Sequence, residues 1–428
     1  MPPGPTHERL VGGPVLRVLT VVRPPKRRLR AYAALAPKAF VLARTRARQR
    51  RLRALPIAVT GSVGKTTTKN LLAAALATAG PTVANAGGAN RARALADTVA
   101  RADATTEFLV QEIGVAHAGA RSLDELVWAL EPRVAVITRV LGDHLESFGT
   151  LDDIAAEKGK AVAALPASGL AVLNADDPRV RAMAALTPAR VVFVGRSRDA
   201  AVRIDDATAD AGGRLQLRLS DGQREHSLAL QLIGTHWALA TALAFAAATR
   251  LGADPAAAID ALEAVSPTGE RLSLVTGATG PRFLLDTAKS TEATVEHSFA
   301  AFLGVPAARR TVVIGRLYDF NGIGPAEAVT RVTDQALAVA DEVVLYGHSV
   351  ESATAATLAH PRVRSFLSAR DLGDHVWSSN GEDDLVLVHG NYLARVALRA
   401  THDVRCWIDD CTRRGGCSTC PLVGPLLE

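Results

Sequence analysis

The segment Ile57–Thr68 reads IAVTGSVGKTTT, in which an apolar run enters a turn with two glycines and continues into an alanine-rich helical stretch. Gly61 and Gly64 let backbone N–H groups turn inward toward an anion, and the helix start adds the positive end of its dipole. In a loop of this kind Lys65 reaches the terminal phosphates of a nucleotide, and Thr66 can ligate magnesium. The segment therefore predicts a strand, a phosphate-binding loop (P-loop) and a helix, the opening of an α/β domain with a mostly parallel sheet.

The sequence on both sides of this loop continues the α/β alternation. Turn signals at Gly212-Gly213 and Asp221-Gly222 separate a group of antiparallel strands, which we interpret as a small β insert. A boundary near Ser266–Gly269 precedes a second α/β block. The predicted strands are 56–60, 108–113, 134–139 and 170–173, then the antiparallel segment 202–232, then 283–285, 311–314, 342–345 and 385–388.

Composition sets the broad class and divides the chain into four segments. The 428 residues are 48% hydrophobic and 21% charged, a balance that builds cores and excludes wholesale disorder. Four cysteines are too few for a disulfide scaffold in a chain of this length. We predict a basic N-terminal extension (1–54), a P-loop central domain (55–266), a C-terminal α/β domain (267–400) and a small cysteine-rich tail (401–428).

Charge is distributed very unevenly along the chain. Residues 1–54 hold 14 Lys or Arg against the single acid Glu8, a charge of +13, whereas the remaining residues hold 35 against 42, a charge of −7. Such a leader is either a solvated basic helix packed on the body by its apolar stripe, or an amphipathic segment that binds an anionic membrane or an acidic partner. The net negative charge of the remaining residues does not indicate specific nucleic-acid binding. No apolar run is long enough to span a bilayer, so the expected location is cytoplasmic, with peripheral membrane attachment as the alternative.

Several motifs resemble one enzyme family. The loop T-G-S-V-G-K-T at 60–66 has Val59 where the common P-loop pattern has glycine, and this shorter form is similar to the loop of the Mur ligase family. Thr67-Thr68-Lys69 resembles the branch that adds D-alanyl-D-alanine. The block DHLESFGTLDDIAAEK at 143–158 resembles a second family signature, and the likeness extends over about residues 55–400. It implies a Mur-ligase-like ATP-binding central domain and a Rossmann-like C-terminal α/β domain.

The resemblance also implies roles for individual residues. Lys158 would be the lysine that family members carbamylate, which turns a cation into an anionic oxygen ligand; an exposed structural lysine is the alternative. Arg271 would contact the nucleotide phosphates, and Asp286 would contact the ribose. The implied catalytic residues are Lys65, Glu112, His144 and Lys158; the implied nucleotide-binding residues are Gly61, Ser62, Gly64, Lys65, Thr66, Thr67, Arg271 and Asp286; and the implied magnesium ligands are Thr66, Glu112, His144 and Lys158.

The activity that the resemblance implies is ATP-dependent amide-bond formation. A substrate carboxylate attacks the γ-phosphate to give an acyl phosphate, and an amino acid or other amine then displaces phosphate. The expected partners are a small-molecule or peptide carboxylate and an amine, with ATP and Mg²⁺. The alternatives are a ligase similar to poly-γ-glutamate synthetases or directed at a carrier or polymer, and a non-catalytic ATP-binding partner subunit.

Three departures from the family pattern bear on substrate recognition. The segment GTHWALA at 234–240 lacks both asparagines of the family motif, which bears on adenine recognition. HGN at 389–391 stands where the family has K-G-S, so we expect a different second substrate. Only about 54 residues precede the P-loop domain, and we therefore expect no uridine-nucleotide-binding domain in front of it.

The cysteines form a cluster near the C-terminus. All four lie within 15 residues, at Cys406, Cys411, Cys417 and Cys420. Four thiolates on short loops suit a tetrahedral structural zinc ion. An iron–sulfur cluster is the second interpretation, and disulfides or free thiols are the third.

Overall fold

Two β-sheets organise the chain. The computed structural model describes residues 26–114, 123–142, 145–276, 280–288, 294–317 and 322–390. The strands are β1 Leu55–Thr60, β2 Thr82–Ala84, β3 Phe108–Glu112, β4 Val134–Ile137, β5 Leu170–Asn174, β6 Arg190–Gly195, β7 Val202–Ala209, β8 Arg214–Ser220, β9 Glu225–Ile233, β10 Arg271–Val275, β11 Arg282–Asp286, β12 Arg310–Ile314, β13 Glu342–Tyr346, β14 Val363–Phe366 and β15 Leu385–His389.

Helices connect these strands and cover the sheets. They are α1 Lys26–Gln49, α2 Lys65–Ala77, α3 Ala92–Arg101, α4 Leu123–Leu130, α5 Leu145–Phe148, α6 Leu151–Ala163, α7 Pro178–Ala182, α8 Ala238–Arg250, α9 Pro255–Glu263, α10 Val295–Gly304, α11 Pro325–Leu337, α12 His348–Ser352, α13 Ala355–Leu358 and α14 Ala369–Ser379. Short 3₁₀ turns lie at Met183–Leu186 and Thr235–Trp237. The order of strands and helices gives the α/β class that the sequence predicts.

The first sheet contains nine strands in the order β2-β3-β1-β4-β5-β6-β7-β8-β9. Pairing is parallel from β2 to β7 and antiparallel from β7 to β9. The antiparallel strands are confirmed, but they are not a separate insert. Val194 and Gly195 of β6 pair in parallel with Val202 and Arg203 of β7, so the antiparallel strands extend the same sheet.

Both faces of the parallel strands are buried, as parallel sheets require. Because successive side chains of a strand point to opposite faces, Ile57 and Val59 of β1 pack with α2 and α8, whereas Ala58 packs on the α3, α4 and α6 side. The carboxyl ends of β1, β3 and β4 meet at the edge where the P-loop leaves β1. This edge is where open α/β sheets hold their ligands.

The N-terminal helix α1 packs on this first sheet domain. Its Leu42 lies in the core on the α3 and α4 side. Arg46 and Arg50 both contact the Glu131 carboxylate, and the hydrogen bond from Arg50 lowers the pKa of Glu131. Arg48 donates to three backbone carbonyls at the C-terminal end of α3, at 3.0 to 3.1 Å. The structure thus places residues 38–50 against the body, and among the described residues no helix is both long and apolar enough to cross a bilayer.

The second sheet has six strands in the order β10-β11-β15-β12-β13-β14. The edge strand β10 is antiparallel to β11, and the other pairs are parallel. Apolar clusters cover both faces, with Leu284 and Leu387 on one side and Phe283 and Val386 on the other. The four strands predicted for this block are confirmed.

The β8–β9 hairpin offers a test of the fold by pH. The Asp221 carboxylate accepts backbone N–H groups of Gln223 and Arg224, each at 2.9 Å, and lies 2.9 Å from His226 Nε2. Burial acts to raise the pKa of Asp221, but these hydrogen bonds outweigh burial and lower the pKa to about 2. The folded-state pKa is therefore below the unfolded value of about 3.9, so the stabilisation is complete above pH 4 and is lost as the pH falls toward 2.

We therefore expect Asp221→Asn to lower the free energy of unfolding by about 1 kcal/mol at pH 7, because the amide keeps the shape but loses the charge. The difference from the unsubstituted chain should shrink at pH 3. Urea denaturation at both pH values measures it. An equal difference at pH 7 and pH 3 would contradict this account of the hairpin.

Candidate phosphate and metal site

The P-loop has backbone geometry that requires its two glycines. Gly61 has φ of +148° and Gly64 has φ of +77°, and Gly64 is the left-handed residue that precedes α2. A Cβ atom on Gly61 would collide with the Thr138 hydroxyl and would lie 3.1 Å from the backbone nitrogen of Arg139. The loop therefore passes so close to the end of β4 that position 61 requires glycine.

The segment after β4 holds this loop in place. The Ser62 N–H donates to the Arg139 carbonyl at 2.6 Å. The Ser62 hydroxyl donates to the Leu141 carbonyl at 3.0 Å and accepts the Leu141 N–H at 2.9 Å, and the Thr138 hydroxyl donates to the Val63 carbonyl at 2.6 Å. These bonds fix the loop before any ligand binds. The predicted contact of Ser62 with nucleotide stays a prediction, as does that of Thr67.

Two predicted lysines lie against the loop from different elements. Lys65 Nζ, from the first turn of α2, donates to the Ser62 carbonyl at 2.8 Å. Lys158 Nζ, from α6, donates to the Gly61 carbonyl at 3.0 Å and is 1% exposed. The alternative of an exposed structural lysine at 158 is therefore wrong. Lys160, two residues further along α6, is half-exposed, and its ammonium pairs with Asp124 and Glu157.

Two predicted magnesium ligands are in direct contact. The Thr66 hydroxyl donates to Glu112 Oε2 at 2.7 Å, and Glu112, at the end of β3, is 2% exposed. A hydroxyl and a carboxylate beside a phosphate loop are the oxygen donors that Mg²⁺ prefers, so these residues fit the ion. His144 lies outside the described residues, as do the four cysteines. Within the described ranges no cluster of three or more His, Cys, Asp or Glu residues is arranged for a metal ion.

A loop that the sequence analysis did not single out borders the same carboxylate. It consists of Asn85–Asn90 and lies between β2 and α3; we call it the 85–90 loop. Asn90 Nδ2 donates to Glu112 Oε1 at 3.1 Å, and Asn85 Oδ1 accepts the Glu112 N–H at 2.7 Å. Lys69, on α2, donates to two carbonyls of the loop. Burial, opposed by the Glu112 charge, lowers the pKa of Lys69 to about 8.

The edge strand of the second sheet reaches the P-loop. A Cβ atom on Gly88 would lie 3.3 Å from both an Arg271 guanidinium nitrogen and the Thr66 hydroxyl. Asn70 Nδ2, on α2, donates to Thr268 Oγ1 at 3.1 Å, just before β10. The structure therefore brings the predicted phosphate ligand Arg271 to the loop, although more than 200 residues separate them in sequence.

Asp286 ends β11 beside Arg271, its register partner in β10. Its carboxylate accepts the Ser298 hydroxyl at 2.5 Å and lies 3.0 Å from His389 Nδ1. Burial opposes the shift, but the hydrogen bond from His389 lowers the pKa of Asp286. The predicted contact of Asp286 with ribose stays a prediction, and the structure adds two partners that the sequence analysis missed.

The GTHW segment borders a small cavity between the antiparallel strands and α10. The cavity has a volume of about 70 Å³, and its lining includes Gly213, Gly234, His236, His297 and Gly304. The rings of His236 and His297 stack with centroids 5.5 Å apart, and burial lowers the pKa of His236 to about 3. Burial lowers the pKa of His297 as well, so both rings are neutral near pH 7.

Comparison with known proteins places this geometry in a family. Residues 59–248 match the model of the Mur ligase middle domain. The UDP-N-acetylmuramoyl-tripeptide–D-alanyl-D-alanine ligase of Mycobacterium tuberculosis is 38% identical over 222 residues, covering 51% of this chain and 43% of that protein. The UDP-N-acetylmuramate–L-alanine ligase of Kineococcus radiotolerans is 34% identical over 293 residues, covering 68% and 59%. The chain thus spans about half the length of these relatives.

The fold is shared more widely. The crystal structure of the MurF ligase from Thermotoga maritima in complex with ADP has a TM-score of 0.73 at 20% identity, and the match covers 86% of this chain and 83% of that one. At this identity the likeness concerns the fold alone, and it confirms the predicted fold class. Residues 59–248 thus form a Mur ligase middle domain, in a chain whose fold is that of a Mur ligase.

Proposed function

We propose that this chain is an ATP-dependent amide ligase that works through an acyl phosphate. The observation that carries the proposal is the convergence of Lys65, the Thr66–Glu112 pair and Arg271 on one phosphate loop. These groups come from three separate elements and gather around the start of α2. Side chains that only packed the protein interior would not need two cations and a carboxylate beside a loop whose backbone N–H groups turn inward.

The chemistry transfers the γ-phosphoryl group of ATP to a substrate carboxylate, with ADP as the leaving group. The nitrogen of an incoming amine then attacks the acyl carbon, and inorganic phosphate departs as the amide forms. Lys65, Arg271 and the N–H groups of the P-loop would hold the phosphates in line and stabilise their charge. Mg²⁺, when bound at Thr66 and Glu112, supplies further charge stabilisation on the phosphates.

The substrates form the finer part of the proposal. The relatives are named as ligases of UDP-N-acetylmuramoyl peptides or UDP-N-acetylmuramate. For this chain we propose a small-molecule or peptide carboxylate and an amino acid, in the cytoplasm where ATP is supplied. The histidine at position 389, where the family pattern has lysine, supports an amine substrate that differs from those of the relatives.

Three further assignments are proposals of the same kind. We propose carbamylation of Lys158, supported by its buried position at the loop, and a magnesium contact from His144. A structural zinc ion at Cys406, Cys411, Cys417 and Cys420 is proposed from cysteine spacing alone, and metal analysis of the purified 428-residue chain tests it.

The function is tested by phosphate release. The purified chain is incubated with ATP and Mg²⁺ and with pooled carboxylates and amino acids, and the mass of the products is recorded. We expect release that requires both a carboxylate and an amine, with a product heavier by their condensation. Nucleotide binding without release in any pool would instead favour a non-catalytic partner subunit.

A further inference from the structure

Lys69 is a buried cation with no place in the reaction proposed above. It lies one helical turn beyond Thr66, on the same side of α2, and is 1% exposed. Its ammonium donates to the carbonyls of Asn85 at 2.6 Å and Gly87 at 2.9 Å. Burial of an ammonium group is costly unless hydrogen bonds compensate it, and both of these bonds end on the 85–90 loop.

The 85–90 loop in turn holds the Glu112 carboxylate. Asn85 Oδ1 accepts the Glu112 N–H at 2.7 Å, and Asn85 Nδ2 donates to the Ala89 carbonyl at 2.7 Å within the loop. Asn90 Nδ2 donates to Glu112 Oε1 at 3.1 Å, while Oε2 accepts the Thr66 hydroxyl. Each carboxylate oxygen of Glu112 thus accepts one hydrogen bond: Oε2 from Thr66, and Oε1 from Asn90 of the 85–90 loop.

The loop also borders the phosphate side of the site. Position 88 is glycine, and a Cβ atom there would lie only 3.3 Å from both Arg271 and the Thr66 hydroxyl. A displacement of the loop by about an ångström would therefore disturb three residues that we assign to metal or phosphate binding: Thr66, Glu112 and Arg271. The two carbonyls that receive Lys69 lie within the same short loop.

We propose that Lys69 is a positioning residue for the metal site: by binding the Asn85 and Gly87 carbonyls it fixes the 85–90 loop, which orients Glu112 toward Thr66. The inference rests on the proposed function, because it takes Thr66 and Glu112 as magnesium ligands. Groups that orient metal ligands in this way typically change metal affinity by roughly 10- to 100-fold when removed.

The test compares Lys69→Met with Lys38→Met in the 428-residue chain. Methionine fills a similar volume without donors or charge. Lys38 pairs with Glu125 on α4, away from the site, and serves as the matched control. Mn²⁺ replaces Mg²⁺ as the probe, and its binding in the presence of ADP is followed by electron paramagnetic resonance. We expect the Mn²⁺ Kd to rise about tenfold in Lys69→Met and to stay unchanged in Lys38→Met.

A second readout needs no ligand. Hydrogen exchange of the Glu112 amide, which donates to Asn85, and of the Gly114 amide, which donates to the Asn90 carbonyl, should accelerate in Lys69→Met. Asn85→Ala should reproduce the Mn²⁺ defect, and the double variant should add little to it. If Lys69→Met does not fold, Asn85→Ala still decides whether the 85–90 loop positions Glu112, and an unchanged Mn²⁺ Kd in that variant would overturn the proposal.

The outcomes separate this inference from the proposed function. Unchanged Mn²⁺ affinity together with unchanged exchange at Glu112 would overturn the role of Lys69. So would a lower melting temperature with no change in Mn²⁺ affinity, since that pattern indicates a purely structural lysine. A wild-type chain that binds no Mn²⁺ with ADP would refute the proposed function, and the exchange measurement would still decide whether Lys69 fixes the loop.

Discussion

Lys65→Met is expected to lower ATP-dependent phosphate release by about 10²- to 10³-fold, the loss found when one preorganised charge-stabilising group is removed from an active site. Lys65 Nζ donates a hydrogen bond to the Ser62 carbonyl at 2.8 Å, so the loop itself orients the ammonium group. That contact orients the charge before nucleotide binds. Methionine keeps most of the length of the side chain but supplies no charge to the transferring phosphoryl group.

The measurement is steady-state phosphate release at saturating ATP and Mg²⁺ with the substrates identified in the screen. Lys160→Met is the control, because Lys160 is a half-exposed lysine that pairs with Asp124 and Glu157 on the surface. Its turnover should equal that of the unsubstituted chain. Full phosphate release by Lys65→Met would exclude the P-loop as the site of phosphoryl transfer.

Glu112→Gln is expected to lower turnover by about 10²-fold and to raise the Mg²⁺ concentration needed for half-maximal activity. Glutamine has nearly the same shape as glutamate, but it lacks the negative charge that attracts a divalent cation. Its amide group would also face Asn90 Nδ2, which now donates to a carboxylate oxygen. Charge and orientation are therefore lost together.

A Mg²⁺ titration of phosphate release measures this effect. Glu107→Gln is the matched control, because Glu107 is an exposed carboxylate at the opposite end of the same strand, just before β3. Its Mg²⁺ dependence should not change. An unaltered Mg²⁺ requirement in Glu112→Gln would mean that the cation binds elsewhere.

Local patterns predicted the parts of the fold that depend on neighbouring residues. The P-loop, the first strand and the following helix are encoded within a dozen residues, and the structure places them as expected. Strand β2 was missed because Thr82–Ala84 is only three residues long and half-buried. Strand β14 was missed because Arg364 and Ser365 interrupt its apolar pattern with exposed polar side chains.

Candidate site residues were identified where motifs are continuous, and neighbours contributed by distant segments were missed. Glu112 and Lys158 carried recognisable surroundings in sequence. Asn85 and Asn90 looked like ordinary turn residues, because asparagine and glycine are typical of loops regardless of function. The contact of His389 with Asp286 joins residues 103 positions apart, and no local pattern records such a pairing.

The docking of α1 determines what its positive charge can do. Arg46 and Arg50 contact Glu131, and Lys38 contacts Glu125, so these cations are already matched by acids of the body. An anionic surface that bound the same side chains would have to displace those acids and expose Leu42. Helix α1 can therefore use these cations either to pack on the body or to bind an anionic surface, but not for both at once. The body thus acts as an internal competitor, and added salt weakens both interactions at once.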